Sequence, residues 1–137
     1  MAPEREQPPA VLFLCIHNAG RSQMAEAFFN KMAKGKARAI SAGSQPADKV
    51  NPTVVAVMKE EGIDISQNKP KLLTLEMMEG IDKAFTMGCE NTCPLTTVET
   101  EDWALEDPEG KAIEKVREIR DIIKGRVTNL VKEMTVR

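Results

Sequence analysis

The chain has no tyrosine, one histidine, one tryptophan and no long apolar run among its 137 residues. No stretch approaches the ~18 apolar residues of a membrane span, so we expect no membrane association. The charges nearly cancel to a net −2, which excludes a strongly basic protein and argues against a nucleic-acid partner. Residues 1–9 lack the apolar core of a signal peptide, so we expect a cytoplasmic protein.

Cysteine is also scarce, with three residues: Cys15, Cys89 and Cys93. In a reducing compartment such cysteines are more often catalytic, redox-active or metal-binding than structural disulfides. The 42% hydrophobic and 29% charged fractions are those of an ordinary globular protein. We expect residues 1–9 to form a disordered lead and residues 10–137 to form a single domain that acts as a monomer.

Short apolar runs alternate with helical patterns along the chain. Strands are predicted at 10–15, 37–41, 81–87 and 98–103, and helices at 22–34, from Asn51-Pro52 to Gly62, at 72–79 and from Asp107 onward. This alternation predicts a three-layer α/β fold, with a four-stranded parallel sheet covered by helices on both faces. Ligands of such sheets bind beyond the carboxyl ends of the strands, where Cys15, Ser41 and Cys89 are predicted to meet.

The most informative stretch runs from Val11 to Ala27. Its apolar run ends at Cys15, five residues follow, and Arg21 and Ser22 then begin a helical pattern. The N–H groups of a tight loop and of a first helical turn point at one spot, which favours an anion. A cysteine there is expected to be a thiolate. The stretch therefore predicts a nucleophile in an oxyanion cradle; the alternative is a buried cysteine beside a surface arginine.

The other two cysteines, Cys89 and Cys93, are separated by three residues in a predicted loop. Two thiols can join when their Cα atoms come within about 7 Å, so three cysteines near one site permit two successive thiol transfers. Two alternatives stay open at this point. The pair is inert and buried, or it joins Cys15 and His17 in a zinc site, which Arg21 and a helix N-terminus would disfavour.

The sequence Cys-Ile-His-Asn-Ala-Gly-Arg-Ser, followed by Gln-Met-Ala-Glu, resembles the phosphate-binding loop of the low-molecular-weight tyrosine phosphatase fold. Ser41-Ala42-Gly43 and Asp107-Pro108 fit the same pattern, and the resemblance covers nearly the whole chain from residue 10. Within this fold, segments 50–52, 62–66 and 102–111, together with Cys93-Pro94 and the upstream Cys89, are similar to the thioredoxin-coupled arsenate reductases. Phosphatases of the fold usually carry tyrosines after Asp-Pro, whereas this chain has none.

The resemblance implies reduction of arsenate to arsenite by a three-cysteine relay recycled by thioredoxin. Cys15 would attack arsenic, Cys89 and Cys93 would complete the relay, and Asp107 would donate a proton to the leaving oxygen. An isolated Asp is ionised at pH 7, so that role needs a special environment or a proton carried in with the substrate. The alternative interpretation of Asp107 is that it is a helix N-cap. The alternatives left open are a phosphatase acting through a phosphocysteine, and glutaredoxin with glutathione as the reductant.

The resemblance also implies roles for the residues around the nucleophile. Arsenate would be held by the loop residues, which are Ile16, His17, Asn18, Ala19, Gly20, Arg21 and Ser22. Asn18 is expected in the left-handed conformation, Ser22 is expected to hydrogen-bond the Cys15 sulfur, and His17 is expected at the rim.

The loop would be supported by Asn18, Glu26, Ser41 and Lys71. Lys71 lies where some members carry an aspartate that helps bind potassium, and we expect its ammonium group to replace that cation. No bound cofactor or metal is expected. Gly20 stands where a cysteine is common, and the Cys89–Cys93 spacing is shorter than in the reductases.

Overall fold

The protein is described here from a computed structural model, which covers residues 8–88 and 98–135. Within these ranges the regular elements are β1 (Ala10–Cys15), α1 (Arg21–Ala33), β2 (Arg38–Gly43), α2 (Pro52–Lys59), a 3-10 helix (Glu76–Met78), β3 (Lys83–Thr86), β4 (Thr100–Asp102) and α3 (Ile113–Thr135). None of the helices in this part of the chain is long and apolar enough to cross a membrane.

The four strands form one parallel sheet in the order β2-β1-β3-β4. Strand β1 is central, and each of its residues is buried because other elements pack on both faces of the sheet at this strand. Its last residue, Cys15, pairs in register with Gly43, the last residue of β2. The carboxyl ends of the strands therefore meet at one edge, as the α/β prediction requires. The prediction of a three-layer α/β fold with a four-stranded parallel sheet is confirmed.

The two faces of β1 belong to two separate apolar cores. Val11 and Phe13 face a large core that the three α-helices share. Leu12 and Leu14 face a smaller core, which the 3-10 helix and its flanking loop cover through residues such as Met78. A strand buried on both faces carries no polar alternation, which explains the uninterrupted apolar run in the sequence.

An aromatic cluster fixes the large core directly behind the end of β1. The Phe13 ring lies 6.1 Å from Phe29, 5.6 Å from Phe85 and 5.6 Å from Trp103, measured between ring centroids. These tilted and edge-on contacts join β1, α1, β3 and the residue after β4. The loop that follows β1 therefore starts from a rigid support.

Five predicted elements differ in type or length from those observed. The helix expected at 72–79 is a single 3-10 turn, because Leu72 forms a parallel bridge with Gly43 and so extends the chain beside β2. The last helix begins at Ile113 rather than near Asp107, because Asp107-Pro108 forms a turn that closes on Glu109. Strands β3 and β4 are shorter than predicted, while β2 continues to Gly43.

Candidate active site

The loop between β1 and α1 turns its carbonyl groups outward. The carbonyl oxygens of Ile16, His17 and Ala19 accept hydrogen bonds from the main-chain N–H groups of three residues in the segment 45–51, at 2.8, 3.0 and 2.8 Å. The Gly20 carbonyl accepts from the Met24 N–H at 2.9 Å, which is the first turn of α1. Four of the loop's carbonyls are therefore satisfied from outside the loop.

This arrangement fixes the direction of the loop's N–H groups. In a trans peptide, the carbonyl of one residue and the N–H of the next point in opposite directions. Outward carbonyls at 16, 17, 19 and 20 therefore place N–H groups on the inner side of the loop. The N-cap of α1 is Gly20, which has no side chain to occupy the N–H groups of the first turn. The loop therefore presents inward main-chain N–H donors, which is the arrangement that the predicted anion cradle requires.

Cys15, the last residue of β1, directly precedes this loop, and its side chain is buried. Its Sγ accepts a hydrogen bond from the Asn18 N–H at 3.1 Å and lies 2.8 Å from the Ser22 hydroxyl oxygen. The predicted contact between Ser22 and the sulfur is therefore present. Asn18 has a φ of 50°, the left-handed conformation expected from its position in the loop.

A buried polar network supports the loop from beneath. The Asn18 Nδ2 donates to Ser22 Oγ at 2.7 Å and to Ser41 Oγ at 3.0 Å, while Ser41 donates to Glu26 at 2.5 Å. Asn18 Oδ1 accepts the Lys71 N–H at 2.8 Å, and the Lys71 ammonium lies 3.7 Å from Glu26 Oε1. The structure therefore brings all four predicted supporting residues into one cluster with Ser22.

Sequence reasoning missed two members of this cluster, Gln23 and Asn68. The Gln23 side chain is fully buried, and its amide contacts both oxygens of Asn18. Asn68 then donates to Gln23 across 45 positions of the chain. The available signal was a polar residue next to the apolar positions of α1, but no local pattern points to its partners.

The Arg21 side chain is only 5% exposed, and it connects the loop to the segments that follow β3 and β4. Its Nη1 donates to the carbonyls of Met87 and Leu105, at 2.6 and 2.9 Å, so both Nη1 protons are used. Its Nη2 lies 3.8 Å from Asp107 Oδ2. The guanidinium is therefore fixed, and its Nε–Nη2 side has the fork geometry that can hold an oxyanion.

Two glycines permit the close approaches that this geometry needs. A Cβ on Gly43 would lie 2.6 Å from the Ile16 carbonyl oxygen, so only glycine lets the loop rest on β2. A Cβ on Gly20 would lie 2.8 Å from Pro108 Cγ. Gly20 therefore lets the turn that carries Asp107 sit directly against the loop.

The site opens into a cleft of about 760 Å³. Cys15, His17 and Arg21 line it on one side, and Asp107 with the segment 45–52 lines the others. His17 stands at the rim, as expected, where its Nδ1–H donates to the Gln45 carbonyl at 3.0 Å. The role of 45–52 as a wall and a brace was not predicted, because its hydrogen bonds to the loop are all made between main-chain groups.

Asp107 is half-exposed in this cleft, and its Oδ1 accepts the Glu109 N–H at 3.0 Å. The alternative that it caps the last helix is wrong, since α3 begins six residues later. The carboxylate caps its own turn and keeps Oδ2 toward Arg21. The structure therefore places Asp107 on the open side of the cleft that Cys15 lines.

Asp102, at the end of β4, binds residues at and just after the end of β3. Its Oδ1 accepts the Thr86 hydroxyl at 2.8 Å and the Gly88 N–H at 3.0 Å. Burial acts to raise the pKa of Asp102, but these hydrogen bonds, one from Ala104 and the charge of Arg21 outweigh it and lower the pKa. Asp102 therefore stays ionised and fixes Gly88, next to the Met87 carbonyl that Arg21 binds.

Two of the predicted site residues, Cys89 and Cys93, lie outside the described residues. Within 8–88 and 98–135, no three His, Cys, Asp or Glu side chains lie together so that they could hold a metal ion. The zinc alternative named Cys89 and Cys93 as ligands, so half of its donor set also lies outside these ranges.

A buried cysteine directly before a loop of inward main-chain donors, with a fixed arginine and an aspartate across the cleft, defines a class: α/β proteins that attack tetrahedral oxyanions with a thiol. The family model for the low molecular weight phosphotyrosine protein phosphatases matches residues 10–137. The chain belongs to this family.

Two proteins that are similar over most of this chain are named arsenate reductases. A putative arsenate reductase of Halobacterium salinarum is 42% identical over 88% of this chain and 89% of its own length. The glutaredoxin arsenate reductase of Synechocystis is 36% identical over 91% of this chain and 98% of its own.

Among solved structures, the thioredoxin-dependent arsenate reductase Cg_ArsC1' of Corynebacterium glutamicum superposes with a TM-score of 0.80 at 39% identity. The match covers 94% of this chain, which spans 63% of that protein's chain. The resemblance predicted from the sequence, to arsenate reductases of the low-molecular-weight phosphatase fold, is confirmed.

Proposed function

We propose that this protein is an arsenate reductase that converts arsenate to arsenite and is recycled by thioredoxin. It works as a cytoplasmic monomer without a bound cofactor, and its electrons come from its own cysteines. The observation that carries the proposal is the oriented loop: Cys15 receives the Asn18 N–H, contacts Ser22, and lies in the same cleft as Arg21. The names of the similar proteins and the presence of Cys89 and Cys93 favour arsenate over a phosphate ester.

In the first step, the loop N–H groups and the Arg21 fork hold three oxygens of arsenate. The Cys15 thiolate attacks arsenic in line, so that a sulfur–arsenic bond forms and the opposite arsenic–oxygen bond breaks. Asp107 passes a proton to the departing oxygen, which leaves as water. The half-exposed carboxylate receives that proton from solvent or from the incoming arsenate.

In the second step, the Cys89 thiolate attacks the Cys15 sulfur. A Cys15–Cys89 disulfide forms, the sulfur–arsenic bond breaks, and its electron pair goes to arsenic, which leaves as arsenite in the +3 state. Cys93 then attacks Cys89, releases Cys15 and leaves a Cys89–Cys93 disulfide. Thioredoxin reduces that disulfide with two electrons, which completes the cycle.

Lys71 supports the loop in this proposal through its charge. Its ammonium lies against Glu26, whose carboxylate accepts from Ser41 and thereby orients Asn18. A positive charge is needed there because Glu26 is only partly exposed. The lysine supplies it in place of a bound potassium ion.

The test is arsenate-dependent oxidation of NADPH in the presence of thioredoxin and thioredoxin reductase. We expect turnover with arsenate and none with phosphate. Cys15→Ser should abolish release of arsenite altogether. Cys93→Ser should release about one arsenite per chain and then stop, because the Cys15–Cys89 disulfide cannot be passed on.

Two results would count against the proposal. Sustained turnover of Cys93→Ser with thioredoxin would remove Cys93 from the relay. Rapid hydrolysis of an aryl phosphate, with no arsenate turnover, would identify a phosphatase of the same family, which shares the first step. Turnover with glutaredoxin and glutathione but not with thioredoxin would replace the reductant alone.

A further inference from the structure

Gln23 is a fully buried polar side chain in the first turn of α1, and it is not among the residues that line the cleft. Its Nε2 donates to the main-chain carbonyl and to the Oδ1 of Asn18, both at 3.1 Å. Its Oε1 accepts from the Asn68 Nδ2 at 3.2 Å. A buried amide with both ends satisfied is a fixed support rather than a chance contact.

The orientation of the Asn18 amide is fixed by groups that can act in one direction only. The Lys71 main-chain N–H can only donate, so the Asn18 oxygen must face it. The Glu26 carboxylate accepts the Ser41 proton, which leaves Ser41 Oγ to accept from Asn18 Nδ2. Gln23 Nε2 donates to the same Asn18 oxygen and agrees with this orientation.

The orientation matters because Asn18 controls both hydrogen-bond donors on the nucleophile. Its own N–H donates to Cys15 Sγ, and its Nδ2 donates to Ser22 Oγ. Ser22 Oγ lies 2.8 Å from the Cys15 sulfur, and while its oxygen accepts from Asn18, its one proton is available to a thiolate at that position. The Asn18 N–H and the Ser22 hydroxyl thus form two contacts to the sulfur, and Asn18 orients both of them.

We infer that Gln23, braced by Asn68, is a positioning residue that holds Asn18 so that both donors stay on the Cys15 sulfur. Asn18 depends on this support because Gln23 donates to its main-chain carbonyl and to its side-chain Oδ1. Without the Gln23 donor, the Asn18 main-chain carbonyl would be a buried acceptor that lacks this hydrogen bond. The inference rests on the proposed function only in taking Cys15 as the nucleophile.

The test compares wild type with Gln23→Met, which keeps the length of the side chain and removes its donors. The rate of alkylation of Cys15 by iodoacetamide is measured from pH 4 to 10, with peptide mass spectrometry to separate Cys15 from Cys89 and Cys93. We expect the midpoint of the pH profile to rise by about 0.5 to 1 pH unit. At a pH below both midpoints, alkylation then slows by about three- to tenfold.

Asn30→Ala is the matched control. Asn30 is another amide on α1, and it exchanges two hydrogen bonds with the main chain of Ala39, far from the loop. It should lower the free energy of unfolding without moving the alkylation profile. A Gln23→Met profile that coincides with wild type, with stability lowered as in Asn30→Ala, would overturn the inference.

Asn68→Ala keeps the test decisive if Gln23→Met does not fold. Asn68 is exposed, and this variant removes only the brace on Gln23. We expect a smaller rise of the same midpoint, and an unchanged profile would overturn the inference. Alkylation needs neither arsenate nor thioredoxin, so this outcome is independent of whether the arsenate assay succeeds.

Discussion

At the scale of single residues, the loop between β1 and α1 depends on two groups of Lys71, its ammonium and its main-chain N–H. The Lys71 ammonium lies 3.7 Å from Glu26, and the Lys71 main-chain N–H holds the Asn18 oxygen at 2.8 Å. The two contacts differ in kind, since a substitution removes the ammonium and leaves the N–H in place. The charge can therefore be tested separately from the loop's main-chain support.

We expect wild-type arsenate turnover to be the same in potassium and in choline salts of equal ionic strength. Lys71→Met should lower kcat/KM by about two- to fivefold in choline, the range of a partly exposed ion pair. Potassium should then restore part of the loss, because a cation can again neutralise Glu26. Lys69→Met, an exposed neighbour, is the control and should behave like wild type. Strong activation of the wild type by potassium would contradict the role given to Lys71.

The residues of the site differ in how far the sequence predicts them. Cys15, Arg21 and Ser22 were predictable because their geometry is local: a strand end, a tight loop and a helix start fix their relative positions. Asn18 was predictable from its tolerance of positive φ. Gln23 was not, because its role depends on Asn68, which only the folded chain brings beside it.

At the scale of elements, α2 and α3 are joined by a charged cluster at the end of α2. Glu60 accepts hydrogen bonds from Arg117 at 2.8 Å and from Arg120 at 2.7 Å. Arg120 is nearly buried and also donates to the Val57 carbonyl at 2.9 Å. The hydrogen bonds from Arg117 and then from Arg120 lower the pKa of Glu60 from 4.5 to about 2.

This shift predicts how stability depends on pH. A carboxyl whose pKa is lower in the folded chain stabilises it above the unfolded value of 4.5, and that contribution is lost as the pH falls toward 2. Glu60→Gln should therefore lower the free energy of unfolding at pH 7, with the difference from wild type shrinking between pH 4.5 and 2. Urea unfolding across this range measures it. Glu133→Gln, an exposed change on α3, is the control; a difference independent of pH would contradict the assignment.

Elements were predictable where their signal is a repeated pattern. The apolar positions of α3 recur at helical spacing, and Val116, Ile119, Ile123 and Val127 are buried as that spacing predicts. The start of α3 was misplaced because Asp-Pro is both a helix-start signal and a turn signal. The packing of the Pro108 ring against Gly20 decides between them, and that contact is tertiary.

At the scale of the whole molecule, the anion cradle is also the junction of the fold. The loop joins β1 to α1, its carbonyls bind the segment 45–51, and Arg21 binds the carbonyls that follow β3 and β4. The order of elements in the sequence predicted that these parts meet at one sheet edge. It could not predict that a single guanidinium ties them, since its partners are main-chain carbonyls, which carry no sequence signal.

This junction predicts that an oxyanion stabilises the entire fold. A ligand that binds only the folded chain adds about 2.7 kcal/mol to the free energy of unfolding at 100 times its Kd. Thermal unfolding in phosphate or arsenate should therefore occur at a higher Tm than in chloride of equal ionic strength. Arg21→Lys should lower the Tm in chloride, because the ammonium lacks the planar guanidinium that lets Nη1 donate to both carbonyls while Nη2 stays beside Asp107. The Arg21→Lys variant should also lose most of the increase in Tm that phosphate gives, since lysine lacks the Nε–Nη2 fork. An equal rise in both proteins would mean that the anion binds elsewhere, and the cradle would then not be the site that links anion binding to folding.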